Sequence, residues 1–407
     1  MEVQRLANGL TVAVDPMPDA ESIALGLYVQ VGSRSEPKAL GGVAHLVEHM
    51  VFKGAGGRDT RALAEVIEDV GGSLNAWTAR DQTAFHGRAL ARDLPLVAEL
   101  LADLVRAPHF DEAHLEREKQ VILSELGECT DSPDDLVHDH LFEAAFDRQP
   151  LGRPVLGREL SIRAASRQDC FDWLAREFVP SRMILAASGK VDAEELAALA
   201  ERLFGDMPAR PAPEVELARF TGGARTDART FEQAHWCLAY AGLPAADPQG
   251  PALGLFVQAL GGGTSSRLFQ ELREERGLAY SIYAWNQPFA DVGMVGIGCA
   301  ADRARAGESI ALARDLVAAT AESLTEAELN RARAQMEATL LMGLETPQGR
   351  ADHLARSIEV FGRAVPTAEL IGQLRAVDVV AARSAGVALL EGPIAMASVG
   401  ARLALAA

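Results

Sequence analysis

Five consecutive residues, His45-Leu46-Val47-Glu48-His49, carry the most chemistry in this chain. The run reads as helix, where positions i and i+4 lie on one face. His45 and His49 can therefore grip one metal ion together, and Glu48 points to the same side. Two neutral imidazoles suit zinc, and a catalytic zinc needs a third protein ligand and an open position for water. The order is the reverse of the commoner His-Glu-x-x-His. Nine histidines in the chain also allow an ordinary reading, two imidazoles packed in a helix core. The rest of the sequence has to decide between them.

The third ligand is expected to be a carboxylate on another helix. The segment Asp111 to Glu128 offers Glu116, Glu118, Glu125 and Glu128. Glu118 and Glu125 are two helical turns apart and share a face. Val121 and Ile122 lie between them on roughly the same side. Periodicity does not say which carboxylate binds metal, and a solvated acidic face would look the same.

The elements that must position these groups are legible in outline. Met1 to Leu10 reads as a strand, a turn at Asn8-Gly9 and the start of a second strand. Glu21 to Gly32 alternates as a strand does. Gly41 to Met50 is the motif helix. Thr60 to Val70 is a second helix, with Leu63, Val66, Ile67 and Val70 on one face and Gly71-Gly72 as its stop. Strands follow at Ser73 to Thr78 and Gln82 to Arg88. Helices are expected near Asp93 to Arg106, Asp111 to Glu128 and Pro133 to Phe146, then a strand at Met183 to Ser188 and a helix at Ala193 to Phe204.

A chain of 407 residues is too long for one core and fits two domains. Pro208, Pro211 and Pro213, with Gly222-Gly223 shortly after, mark a linker. The expected division is residues 1–209, a linker over 210–222, and residues 223–407. The halves look related. Gly41 to Trp77 reads helix, glycine turn, helix, strand, and so does Gly250 to Trp285, which differs in length by one position. The places of His45, Glu48 and His49 fall near Gly254, Val257 and Gln258 in the second copy, so only the first copy can bind metal. The loop Gly261-Gly262-Gly263-Thr264-Ser265-Ser266 lacks the Gly-Lys-Ser/Thr of a P-loop and reads as a turn with a helix cap. The fold expected is α+β: two homologous α/β sandwich domains, helices on a mostly antiparallel sheet, arranged as an internal repeat.

Composition narrows the function classes. Apolar content is 48% and charged content 24%, as in soluble globular proteins. No apolar stretch is long enough to cross a bilayer, and the N-terminus resembles no secretory signal, so a cytoplasmic protein is expected. Cys129, Cys170, Cys237 and Cys299 are far apart and form no Cys-x-x-Cys pair. The net charge of −18 argues against a nucleic-acid partner. It fits basic peptide partners and a solvated acidic surface equally well.

Several separated motifs now agree in order and spacing. They are Gly41-Gly42-Val43-Ala44-His45-Leu46-Val47-Glu48-His49-Met50, Phe52-Lys53-Gly54, Leu74-Asn75-Ala76 and Glu118 through Glu125. In the second half they are Leu260-Gly261-Gly262-Gly263-Thr264-Ser265-Ser266-Arg267-Leu268 and Arg276-Gly277-Leu278-Ala279-Tyr280-Ser281. The chain resembles, over essentially its whole length, the pitrilysin/insulinase-type zinc metallopeptidases (inverzincins), in the branch of the mitochondrial processing peptidases and their bacterial relatives. That resemblance implies one Zn2+ per chain, held by His45, His49 and Glu125, with Glu118 supporting the site from behind and Glu48 as general base. It implies that Arg273 and Tyr280 bind the substrate backbone and help stabilise the oxyanion, and that Asn75 and Ala76 lie on an edge strand that pairs with an extended peptide. It implies an endopeptidase acting on unfolded peptides. Because one chain keeps both the metal motif and the Arg/Tyr pair, a homodimer is expected. The rival readings are a subunit active only with a partner chain, and a scaffold that has lost its metal.

Overall fold

The computed structural model describes residues 1–403. The chain forms two compact units, one of residues 1–126, 154–216 and 342–365, the other of residues 127–153, 217–341 and 366–407 as far as it is described.

The first unit is built on a six-stranded sheet. Its strands are β1 (Glu2–Arg5), β2 (Thr11–Pro16), β3 (Ser22–Val29), β6 (Ser73–Thr78), β7 (Thr83–Leu90) and β8 (Met183–Gly189), with β4 (Gly54–Ala55) and β5 (Arg58–Asp59) forming a separate two-residue hairpin. The spatial order is β1-β2-β8-β3-β7-β6. Every pairing is antiparallel except β2 with β8. β3 and β8 are buried on both faces, which is why they read as near-continuous apolar runs. Ile23, Leu25, Leu27 and Val29 enter the main core with Met183, Leu185 and Ala187. That core is completed by α1 (Val43–Val51), α2 (Thr60–Glu68) and α3 (Leu94–Arg106). The opposite face carries Ala13, Ala84 and Ala186 beside the larger Tyr28 and Ile184, and the helix Pro347–Phe361 packs on it through Leu354, Ala355 and Ile358. α4 (Glu112–Asp131) begins in this unit and ends in the second.

The second unit holds α5 (Pro133–Ala145) and a five-stranded sheet of β9 (Gly223–Asp227), β10 (Ala234–Gly242), β11 (Ala279–Pro288), β12 (Gly293–Ala301) and β13 (Ile394–Val399). The order is β11-β12-β10-β13-β9, antiparallel except β13 with β9. Read from β6 and from β11, the two sheets have the same succession, with the one parallel pair in the same place. β1 alone has no counterpart. The repeat expected from glycine spacing is therefore present as topology. α5 covers one face through Val137, Leu141 and Ala144, over Ala239, Ala395 and Ala397. The helix Gly250–Gly261 packs on the other.

Each unit thus takes one helix from outside its own half of the sequence. The proline-rich segment has neither helix nor strand, and Arg34 and Arg182 hold it by donating to the carbonyls of Glu216 and Pro213. Where a helix was expected before Gly277, the chain winds as a π-helical turn, Phe269–Glu275. Among the described residues no helix is long and apolar enough to cross a membrane.

Candidate metal centre

α1 presents His45 and His49 on one face, with ring centroids 4.5 Å apart and the planes at 66°. Leu46, Val47 and Met50 anchor its other side in the core. α4 brings the acidic partners. Ile122 is fully buried and fixes that helix, so Glu118 and Glu125, one turn to either side, face α1. Val121 points outward instead, 43% exposed, and does not share the anchoring face. Glu116 turns away to Lys119 at 2.7 Å, and Glu128 is exposed.

Glu125 Oε2 lies 3.9 Å from His45 Nε2 and 3.8 Å from His49 Nε2. Among the described residues these three side chains form the one group of His, Cys, Asp or Glu, three or more strong, whose ligand atoms all fall within 4.8 Å of one another. A tetrahedral zinc with bonds of about 2.0–2.1 Å separates its ligands by about 3.4 Å, so Glu125 Oε2 needs to close on each imidazole nitrogen by only about half an ångström. Glu118 stands behind. Its Oε2 is 3.2 Å from His49 Nδ1, and its Oε1 is 3.0 Å from Lys53 Nζ. A carboxylate can only accept, so Nδ1 donates to it and Nε2 is the ring nitrogen that faces Glu125.

Burial, then the neighbouring His49, pushes the His45 imidazole down to about 4. It is therefore neutral at pH 7, the form that ligates metal. Burial raises the Glu48 carboxyl above its ordinary value, with Thr78 and His49 pulling it back and Glu125 adding to the rise. The Thr78 hydroxyl is near enough to temper the shift but makes no well-formed hydrogen bond. Glu48 Oε2, His45 Nδ1 and Thr78 Oγ1 are all buried without a partner. Buried polar atoms normally find a partner, so Glu48 keeps one carboxylate oxygen available for one.

Asn75 and Ala76 lie on β6, the terminal strand of its sheet. The Ala76 N–H goes to Asn75 Oδ1 at 2.9 Å. Arg273 and Tyr280 stand on the second unit. Arg273 lies in the π-helical turn with its guanidinium 4.8 Å from the centre of the Phe269 ring. Tyr280 is 72% exposed at the start of β11, where the register with β12 slips between Ala279 and Ser281.

Two residues of the site escaped the sequence reading. Glu36 accepts hydrogen bonds from the first turn of α1, and Lys53 braces Glu118. Lys53 belongs to the Phe52-Lys53-Gly54 motif, whose residue types do not tell its role. Glu36 sits in a loop whose spacing to α1 has no periodic signal.

Residues 11–159 match the family model for insulinase, peptidase family M16, and residues 164–336 match that for the M16 inactive domain. An uncharacterized zinc protease of Streptomyces coelicolor is 32% identical over 91% of this chain and 83% of its own length. The chain belongs to the insulinase family of peptidases, M16. A second uncharacterized zinc protease, from Mycobacterium bovis, is 35% identical over 88% of this chain and 83% of its own. The probable mitochondrial-processing peptidase subunit beta of Arabidopsis thaliana is 32% identical over 98% and 78%. Among solved structures, a peptidase M16 inactive domain from Pseudomonas fluorescens superposes with a TM-score of 0.90 at 23% identity, covering 100% of this chain and 99% of that one. A Helicobacter pylori protease gives 0.89 at 21%, covering 98% of each. The inactive-domain match covers most of the half in which the motif positions hold Gly254, Val257 and Gln258.

Proposed function

We propose that this M16 chain is a zinc-dependent endopeptidase acting on extended, unfolded peptides. The observation that carries the reading is the convergence of His45 Nε2, His49 Nε2 and Glu125 Oε2 on a helix face that also carries Glu48, whose Oε2 is buried without a partner. The donor set of two imidazoles and one carboxylate fits zinc, and it leaves a coordination position open for substrate chemistry. When bound, zinc supplies Lewis acidity that lowers the pKa of water and polarises a peptide carbonyl.

The chain's own residues do the rest. Glu118 holds the His49 ring by its Nδ1–H, which fixes the tautomer and the direction of Nε2. Glu48 is the general base: its free Oε2 takes the proton of the attacking water and later gives it to the leaving amine, so that water adds to the carbonyl carbon, the C–N bond breaks, and the carboxylic acid and amine part. Burial supports this role by bringing the carboxyl nearer to neutrality than an exposed glutamate. Arg273 and Tyr280 bind the substrate backbone and steady the oxyanion. β6 supplies main-chain groups at Asn75 and Ala76 for strand addition by the peptide, a mode that demands an extended substrate. The net charge of −18 is compatible with a preference for peptides bearing Arg or Lys, which a peptide screen without such a preference removes, and the presence of both the metal motif and the Arg/Tyr pair in one chain supports a homodimer.

The test is cleavage of a basic quenched-fluorescence peptide by the purified chain, with zinc content measured and Glu48→Gln run alongside. The expected result is zinc near one per chain in both proteins and a rate lower by about 10²–10⁴-fold in the variant. A wild-type chain that holds no zinc overturns the reading in favour of a scaffold. Zinc without cleavage, reversed by adding a second chain of the family, replaces it with an obligate subunit.

A further inference from the structure

The first turn of a helix has amide donors that need acceptors from outside it. In α1 the usual source is closed. The cap position is Gly42, at φ +93°, and a Cβ there would stand 2.5 Å from Ile162 Cδ1 and 2.6 Å from the Leu156 carbonyl oxygen. No serine, threonine or aspartate fits where a capping side chain belongs.

Glu36 supplies the oxygen atoms instead. Its Oε2 accepts from the Gly42 N–H at 2.8 Å and its Oε1 from the Ala44 N–H at 2.9 Å. The residue is 3% exposed, so water does not compete for these bonds. A negative charge also complements the positive end of the helix. From the other side, Ser161 Oγ donates to the Gly41 carbonyl at 2.6 Å. His45 directly follows Ala44, inside the turn that Glu36 holds. A metal ligand on a first turn is placed only as well as that turn, and helix ends are where local opening costs least.

We propose that Glu36 is a positioning residue for the metal centre: its buried carboxylate clamps the first turn of α1 so that His45 Nε2 meets His49 and Glu125. This rests on the zinc-peptidase reading above. A cap that served stability alone would change the melting temperature and leave the folded protein's zinc affinity untouched. A positioning clamp changes both.

The experiment uses the full chain with Glu36→Met, which keeps the length and removes both acceptors, and Glu36→Gln, which keeps one. Circular dichroism establishes that each is folded at the assay temperature. Zinc dissociation constants come from competition with a chelator, and kcat and KM from the peptide assay. The expected result is zinc affinity about tenfold weaker in Glu36→Met, with kcat down about ten- to a hundredfold, KM within about twofold of wild type, and Glu36→Gln between the two. A folded Glu36→Met with wild-type zinc affinity and kcat overturns the proposal. If Glu36→Met does not fold, Glu36→Gln decides by the same two quantities. If the wild type binds zinc and cleaves nothing, the zinc constants alone decide the role of Glu36 and the peptidase reading falls separately. If the wild type binds no zinc, both fall.

Discussion

Replacing Glu118 tests whether the residues behind the metal ligands govern the metal. Glu118 touches His49 at 3.2 Å and Lys53 at 3.0 Å, and only 8% of it is exposed. Losing such an outer partner weakens metal binding by about 10–100-fold, or about 1.4–2.7 kcal/mol. Two features place the variants within that range. Lys53 already draws on the same carboxylate, so the basicity that Glu118 lends to His49 is reduced. Glutamine can still accept from Nδ1–H through its amide oxygen, although its NH2 then faces the Lys53 ammonium. Glu118→Gln is expected near the tenfold end, and Glu118→Ala, which leaves Nδ1–H with no acceptor, near the hundredfold end. The assay is competition against a chelator at neutral pH, paired with kcat measured at saturating zinc. Because the effect runs through metal affinity, kcat of the fully loaded variants is expected within about fivefold of wild type. Unchanged zinc affinity with a collapsed kcat refutes the argument, since Glu118 would then act on substrate. So does wild-type affinity in Glu118→Ala.

Two further outcomes concern ion pairs, one in each unit. Lys53→Met frees Glu118 Oε1 from its cation, and in combination with Glu118→Gln its effect on zinc affinity is expected to be non-additive by about 0.5 kcal/mol or more, measured as a double-mutant cycle; strict additivity sinks the Lys53–Glu118–His49 linkage. In the second unit, Arg267 grips Glu328 through Nε–Oε1 at 2.6 Å and Nη2–Oε2 at 2.8 Å, and holds the carboxyl down to about 2. A depressed folded-state value means stability that is present above the ordinary carboxylate range near 4.5 and lost as pH falls toward 2. With partial exposure allowed for, Glu328→Gln is expected to cost about 2 kcal/mol at pH 7, and the gap from wild type in denaturant melts is expected to narrow steadily below pH 4.5; a gap independent of pH between 7 and 3 contradicts the assignment.

The ligand pair was readable because i,i+4 spacing survives any packing a helix enters. Glu118 and Glu125 were readable as a shared face for the same reason. Choosing Glu125 over Glu118 was beyond periodicity, because the choice depends on how far α4 is translated along α1. That translation is set by Ile122 in the core, and a sequence does not display it. Val121 shows the limit at finer grain: one step along the helix turns a residue by about 100°, which was enough to move it from the expected face to solvent.

The same distinction explains what went unread in the fold. Strand and helix boundaries came close, and the glycine-spaced repeat proved to be a repeat of sheet order, since both depend on neighbours within a few dozen residues. The helix Pro133–Ala145 was expected and Pro347–Phe361 was not, but for neither does the sequence tell which sheet it covers. Each packs on a sheet face that includes alanines, Ala395 and Ala397 in one unit, Ala13 and Ala186 in the other. In their strands those alanines merely looked apolar, without a hint that they lie under a helix more than a hundred and fifty residues distant. Glu36 belongs with them. Its importance comes from what Gly42 cannot carry, and Gly42 is bare because Ile162 and Leu156, far along the chain, crowd it. A residue whose role is set by a vacancy elsewhere has no local signature, so the site's chemistry was visible in the sequence while the device that aims it was not.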